Sequence, residues 1–324
     1  MNIVIADLNN RGIYRPVDEI YGKYKTNDTG LCNRLLYWEL CKIINYLNDD
    51  KFNVVIDDEQ NPETKNCFDL PNTIVTDARN IDFDNYLPIT NKMVDDIINN
   101  GYKLEDGNYY TDFTYRQIRD INIEFKKRFI RDLKFKIKEI NENINQIVRG
   151  CIGIHLRRGR GVKINKGTTI DLSLFEGWDH EILSEYIQMK IKDMPAWQFY
   201  QWEYTKDDVY FKIIDLILSK SPNQKFYISS DLDDKFIEHW KTKYPNKILS
   251  KSDFYENIKG YELPINVHVK NFLDLYCLSN TRQIFRIAYS TWSDFASDYN
   301  HKDGIFINLD DIESEILSKC IKKI

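Results

Sequence analysis

The chain has 324 residues, with 45 Lys and Arg against 50 Asp and Glu, a formal charge of −5. An acidic chain of this kind has no overall field to draw in nucleic acid or an anionic membrane, so any anion it binds must be held at a local site. Its 42% hydrophobic content, with 21 Tyr and 17 Phe, supplies a sizeable core, and the length suits two domains of ordinary size.

The first apolar run, Ile3 to Ala6, reads as a short buried strand. In "DTGLCNRLLYWELCKIINYLND" the residues Leu36, Leu40, Ile43 and Leu47 repeat at the spacing of an amphipathic helix, and "FNVVIDD" returns to strand character. These pieces open a β-α-β pattern. From Glu59 to Arg119, Asn, Asp, Pro and Tyr break up the apolar runs, and short elements joined by loops are expected. One long helix is then expected from about Ile121 to Val148, because Phe125, Phe129, Leu133, Ile137, Ile140, Ile144 and Ile147 form a single stripe. Its end is read as the close of a first domain, 1–149, with a second domain over 150–324.

Beyond Gly150 the alternation becomes regular. Strand "CIGIHL" precedes a long irregular segment. Helix "DDVYFKIIDLILSK", strand "KFYISSD", helix "DDKFIEHWKTKY", strand "NKILS", helix "VKNFLDLYCLS", strand "QIFRIAYS", helix "TWSDFASDY" and strand "GIFINL" follow. Strands interleaved with helices in this way predict a doubly wound parallel sheet, in which ligands bind outside the carboxyl ends of the strands. Those ends carry His155, Arg157, Arg158 and Gly159, then Ser229, Ser230 and Asp231, then Ser290 and Thr291.

The six cysteines, Cys32, Cys41, Cys67, Cys151, Cys277 and Cys320, show no CxxC or Cys/His spacing for zinc and read as reduced core thiols. The start lacks a basic region followed by a long apolar one, and no stretch approaches the ~20 apolar residues of a membrane span. The expectation is a cytoplasmic protein with no integral membrane association.

An arginine pair just past a buried strand has its guanidinium groups aimed by the sheet, and two planar forks suit a diphosphate. The neighbouring glycines let backbone N–H groups approach the same anion. By charge alone, a solvated loop whose arginines pair with surface carboxylates fits equally well. Ser290 and Thr291 stand at a strand-to-helix junction, where hydroxyls and unpaired N–H groups favour phosphate. His155 at its strand end is a ligand contact or a satisfied structural side chain. Asp274, among Phe272, Leu273 and Leu275, is solvent-facing or a recognition group able to accept N–H bonds from a base. Gly30, Asn33 and Arg34 in "TGLCNR" form an anion cradle or an ordinary capping turn.

Taken together, "GIHLRRG", "FYISSD", "NFLDLYCLSNTRQIF" and "AYSTWSDFAS", with "GLCNRL" upstream, resemble the superfamily of α1,2-, α1,6- and protein O-fucosyltransferases. The resemblance implies a GT-B-like α/β fold, in which two Rossmann-like domains with parallel sheets face each other across a cleft. Residues 1–149 would be the acceptor side and 150–324 the nucleotide-sugar-binding domain. It also implies transfer of fucose from GDP-fucose to a glycan or glycoprotein acceptor, with no metal and no further cofactor. His155 and Asp274 would contact the guanine or ribose, Arg157 and Arg158 the diphosphate, and Ser290 or Thr291 the phosphates. Gly30, Asn33 and Arg34 would complete the donor site, with Asp231 beside it. Nucleic acid is not expected as a partner.

The chain departs from the superfamily in two places. Arg160 stands where many relatives carry an acid after the arginines, and no acid follows until Asp171. The candidates for the general base are therefore Asp171, Glu176, Asp179 and Asp28, with the leaving diphosphate itself as a further proton acceptor. The aromatic-rich segment "MPAWQFYQWEYTKDDVYF" offers ring faces for an acceptor sugar or fastens an insertion to the body. Asp231-Leu-Asp233 has the spacing of a metal-binding Asp-x-Asp, but such triplets arise freely in an Asp-rich chain, Asp82-Phe-Asp84 being another. The alternatives to a fucosyltransferase are transfer from another nucleotide sugar, a non-catalytic binder of nucleotide sugar or glycan, and an RNA-contacting protein using "RRGRGVK". The last needs an extended basic face, which the acidic remainder argues against.

Overall fold

The computed structural model describes residues 1–5, 31–57, 68–76, 81, 83–112, 121–130, 133–135, 141–156, 162–164, 168–170, 207–230, 234–258, 268–286, 290–300 and 305–306. The chain divides into two units, Met1–Glu139 with Asp294–Lys302, and Ile140–Ser293 with Asp303–Ile324. The division expected after residue 149 differs from this one at 140–149 and in the return of 294–302 to the first unit.

Unit 1 is built on strands β1 (Asn2–Ile5), β2 (Asn53–Asp57), β4 (Thr73–Thr76), β5 (Tyr86–Thr90) and β6 (Asn108–Asp112), in the order β4-β2-β1-β6-β5. Every pairing in this sheet is parallel. Helix α1 (Leu31–Leu47) links β1 to β2 and packs on both. Its expected stripe residues Leu36, Leu40 and Ile43 are fully buried. Period-2 alternation sends Val4 and Val55 to a cluster with Tyr110 on one face of the sheet. The α1-to-β2 turn is held by two buried amides: Asn45 Oδ1 accepts from Phe52 N–H at 2.8 Å, and Asn48 Oδ1 from Leu104 N–H at 2.6 Å. Helix α2 (Asn91–Asn100) has Thr90 as its N-cap and ends on Gly101 at φ 68°, a left-handed position that glycine adopts without strain.

The single helix expected over 121–148 does not form. Helix α3 (Ile123–Ile130) and helix α4 (Asn141–Val148) are separate, and between them β7 (Lys134–Phe135) pairs antiparallel with β3 (Phe68–Asp69). The stripe survives as burial in two helices of different units. Phe125 and Phe129 pack edge-on against Tyr46 of α1, and Ile144 is buried in unit 2. A tertiary strand pairing overrode a continuous helical period.

In unit 2, strands β8 (Cys151–Leu156), β11 (Lys225–Ser230), β12 (Ile248–Ser250), β13 (Gln283–Arg286) and β14 (Ile305–Phe306) form a second all-parallel sheet in the order β12-β11-β8-β13-β14. The sheet runs outward from β8 in both directions, the doubly wound arrangement expected from the sequence. Between β8 and helix α5 (Asp207–Lys220), where an irregular segment is expected, β9 (Val162–Ile164) and β10 (Thr168–Ile170) pair as a hairpin. Helix α6 (Asp234–Lys243), helix α7 (His268–Asn280) and helix α8 (Thr291–Tyr299) follow, α8 beginning in unit 2 and ending in unit 1.

Alternation along β8 and β11 assigns their two faces. Ile152, Ile154, Leu156, Phe226 and Ile228 join Tyr210, Ile213, Ile214 and Trp240 of α5 and α6 in the main core. The intervening residues, Gly153, His155, Tyr227 and Ser229, therefore take the opposite face, where α7 packs. Gly153 sets how near α7 comes: a Cβ there would lie 2.6 Å from Thr281 Oγ1 and 2.8 Å from Leu278 Cδ1. The far end of the sheet is tied by Gln224, whose Nε2 donates to the Gly150 carbonyl at 2.8 Å while its Oε1 accepts from Arg282 at 2.8 Å.

Among the described residues no helix is long and apolar enough to cross a membrane. Cys32, Cys41, Cys151 and Cys277 are buried, as expected of core thiols; Cys67 and Cys320 lie outside the described residues.

Candidate functional site

The strand order places a topological switch point between β8 and β13, where connections leave in opposite directions and where sheets of this kind bind ligands at the carboxyl ends of their strands. His155 lies one residue before the end of β8 and Ser290 just beyond β13, and both are buried. They meet there, Ser290 Oγ lying 3.3 Å from His155 Nδ1. The His155 carbonyl also accepts from the Tyr210 hydroxyl at 3.3 Å, so strand, helix and junction fix one another. Ser293 Oγ donates to the Ser290 carbonyl at 3.3 Å and closes the first turn of α8.

In the register of β8 and β11, Ser229 is the partner of His155. Ser229 Oγ donates to Asp274 Oδ2 of α7 at 2.8 Å and accepts from the indole Nε1 of Trp292 at 3.1 Å. The Tyr227 hydroxyl donates to Asp274 Oδ1 at 2.7 Å. Asp274, 3% exposed, is thus neither solvent-facing nor unsupported: each carboxylate oxygen takes a hydroxyl hydrogen and keeps further acceptor capacity. Burial, the Asp274 charge and the nearby Cys277 push the Tyr227 phenol well above its usual range and keep it a hydrogen donor. The Cys277 thiol is likewise pushed well up, by burial first and the Asp274 charge second, which leaves it unreactive. The arrangement presents a fixed imidazole, a fixed carboxylate and an indole at the mouth of one parallel sheet.

Of the sequence candidates, the fold brings together His155, Ser290 and Asp274, through Ser229 and Trp292. Thr291 is the first residue of α8, and Asn33 and Arg34 belong to the first turn of α1; their side chains are outside the described set. Arg157, Arg158, Asp231, Gly30, Asp28, Asp171, Glu176 and Asp179 lie outside the described residues. Among the described residues no cluster of three or more His, Cys, Asp or Glu has the arrangement of a metal site. Tyr227 and the indole of Trp292 were missed as contributors by the sequence reading. The signal was present for Tyr227, which sits two residues before Ser229 and so shares its face of β11.

No protein-family pattern matches the chain, and no curated protein does. Among solved structures, the chain is similar to the α-1,6-fucosyltransferase NodZ, soaked with GDP-fucose: 13% identity, 83% of this chain and 89% of that one covered, TM-score 0.46. It is also similar to POFUT1 in complex with GDP, at 8% identity with 86% and 95% covered and a TM-score of 0.43. A third is an Arabidopsis thaliana FUT1 mutant in complex with GDP, at 11% identity with 86% and 68% covered and a TM-score of 0.42.

Proposed function

We propose that the chain is an inverting, metal-independent glycosyltransferase that uses GDP-fucose, with the nucleotide diphosphate bound at the carboxyl ends of β8, β11 and β13 in unit 2 and acceptor recognition left to unit 1. The observation that carries this reading is the juncture of His155 and Ser290 at the switch point of a doubly wound sheet, with Arg157 and Arg158 following β8 in the chain. The ordered set of motifs that resembles the fucosyltransferase superfamily supports the choice of donor.

In the reaction, an acceptor hydroxyl attacks the anomeric carbon from the face opposite the diphosphate, the bond from that carbon to the β-phosphate oxygen breaks, and GDP leaves with the bonding pair. Arg157 and Arg158 offset the charge that grows on the departing diphosphate, which is worth most where the guanidinium groups are already aimed. Asp274, held by Tyr227 and Ser229, accepts N–H groups of the guanine, and His155 and Ser290 hold ribose or phosphate oxygens. The acceptor proton passes to Asp171, Glu176, Asp179 or Asp28, or to the leaving diphosphate.

Calorimetric titration with GDP, UDP and ADP in the presence of EDTA tests the donor site. Selective GDP binding is expected. Absence of GDP binding, or binding restored only by manganese, overturns the reading, and tight GDP binding without turnover of GDP-fucose replaces it with a non-catalytic binder.

A further inference from the structure

An acid sits where the amphipathic pattern of α1 calls for an apolar residue. Glu39 lies between Trp38 and Leu40, both fully buried, and is itself 0% exposed. Neither of its carboxylate oxygens has a hydrogen-bond partner among the described residues. Close by, Lys126 of α3 and Asp298 in the last turn of α8 form a buried ion pair, with Nζ at 2.7 and 2.8 Å from the two carboxylate oxygens and both side chains at most 6% exposed. All three residues belong to unit 1.

The charges there do not balance if both acids are ionised. Among the described residues one ammonium then acts on the two carboxylates, and Glu39 is the one buried without a hydrogen bond, a costly arrangement at low dielectric. Among the described residues, the elements packed on α1 bring no further buried base to it: on α3, Lys127 is half-buried, and Arg128 is exposed and lies over the Phe125 ring. Strands β1 and β2 contribute Ile3, Val4, Ile5, Val54, Val55 and Ile56. Lys92 and Asp95 of α2 are exposed, and Asp96 of α2 is engaged by Asn100. On α1 itself, the Cys41 thiol is pushed up by burial and stays neutral, and Lys42 is half-buried with Asp50 as its charged neighbour. On α8, Asp294 adds a third buried acid rather than a base. The charges that act on Glu39 are Asp298, which repels its ionised form, and Lys126, which attracts it less than burial and Asp298 oppose it.

We propose that Glu39, Lys126 and Asp298 form a proton-gated anchor for the last turns of α8: while Glu39 is neutral, Lys126 is committed to Asp298, and when Glu39 loses its proton two carboxylates contend for one ammonium and the hold on α8 weakens. Burial first and the Asp298 charge second raise Glu39 well above the usual carboxylate range. The folded state therefore keeps a proton that the unfolded chain releases. The stability linked to it is complete below the ordinary Glu value and is lost as pH rises towards and through the folded value. Over that window the folding equilibrium constant falls about tenfold per pH unit for the one proton.

The test uses the full chain and Glu39→Gln, which mimics the neutral carboxyl. Unfolding is followed from about pH 5 to about pH 8, together with amide hydrogen exchange over 294–299 corrected for its intrinsic pH dependence. The wild type is expected to lose stability and to exchange faster in 294–299 as pH rises. Glu39→Gln should remove most of both slopes. Equal slopes in the two proteins would overturn the proposal, as would a wild-type slope with no change in exchange over 294–299. Should Glu39→Gln fail to fold, the ¹³C resonance of the Glu39 carboxyl in the wild type decides: a proton retained at neutral pH supports the anchor, and titration in the ordinary carboxylate range overturns it.

Discussion

Tyr227 donates its hydroxyl hydrogen to Asp274 across 2.7 Å, from the third residue of β11 to the middle of α7, with both side chains buried. A carboxylate in that position is held by the sheet rather than by water, so its direction is set before any ligand arrives. Tyr227→Phe removes a hydroxyl donor from the buried Asp274 carboxylate. A loss of about 1–3 kcal/mol is expected, read as a lower urea midpoint at unchanged slope. Weaker GDP binding should accompany it, and unchanged GDP affinity would detach Asp274 from the nucleotide.

Gly153 is required by the space it leaves. An Ala Cβ would meet Thr281 Oγ1 at 2.6 Å, and that hydroxyl is itself fixed by a 2.8 Å hydrogen bond to the Leu278 carbonyl. Gly153→Ala should cost about 1–3 kcal/mol through overpacking. Gly150, with nothing within 4 Å of its would-be Cβ, is the control. Thermal unfolding of the two alanine variants should separate them clearly.

The Lys126–Asp298 pair predicts an asymmetry between single and double replacement. Lys126→Met alone takes the ammonium away from the buried Asp298 carboxylate and should cost about 3–5 kcal/mol. Adding Asp298→Leu should recover much of the loss, because the buried carboxylate that lost its ammonium is then removed as well. Chemical denaturation of the single and double variants checks this, and a double variant as unstable as the single one would contradict it.

Arg158→Ala should lower transfer from GDP-fucose by about 100- to 1,000-fold, the scale of losing one preorganised donor to developing charge, while the unfolding midpoint stays put. Retained full activity would remove the arginines from the mechanism.

Much of unit 2 was legible because local rules and the tertiary fold agree there. Strand Cys151–Leu156 and helices Asp207–Lys220 and Thr291–Tyr299 form where apolar runs and helical periods point to them, since each period buries a face that the parallel sheet supplies. His155 and Ser290 were legible as candidates because strand ends of a doubly wound sheet gather at one edge, and Asp274 because it is an acid set among Phe272, Leu273 and Leu275 on a helix. The helix expected over 121–148 failed for the opposite reason. Its stripe satisfied a helical period throughout, but Lys134–Phe135 found a strand partner in Phe68–Asp69, about 65 residues earlier, and a pairing at that distance leaves no local trace.

By itself the sequence determined the alternation of strands and helices beyond Gly150 and the parallel class of the five-stranded sheet they build, because these follow from periodicity and residue type along the chain. Only the tertiary structure decided that β8 lies centrally with Ser229 opposite His155, that Tyr227 and Trp292 complete the polar chain around Asp274, and that Glu39 sits beside the Lys126–Asp298 pair. Those relationships join residues 47 to 172 positions apart, and whether a buried acid is satisfied, repelled or left with its proton depends on which distant groups the packing brings to it.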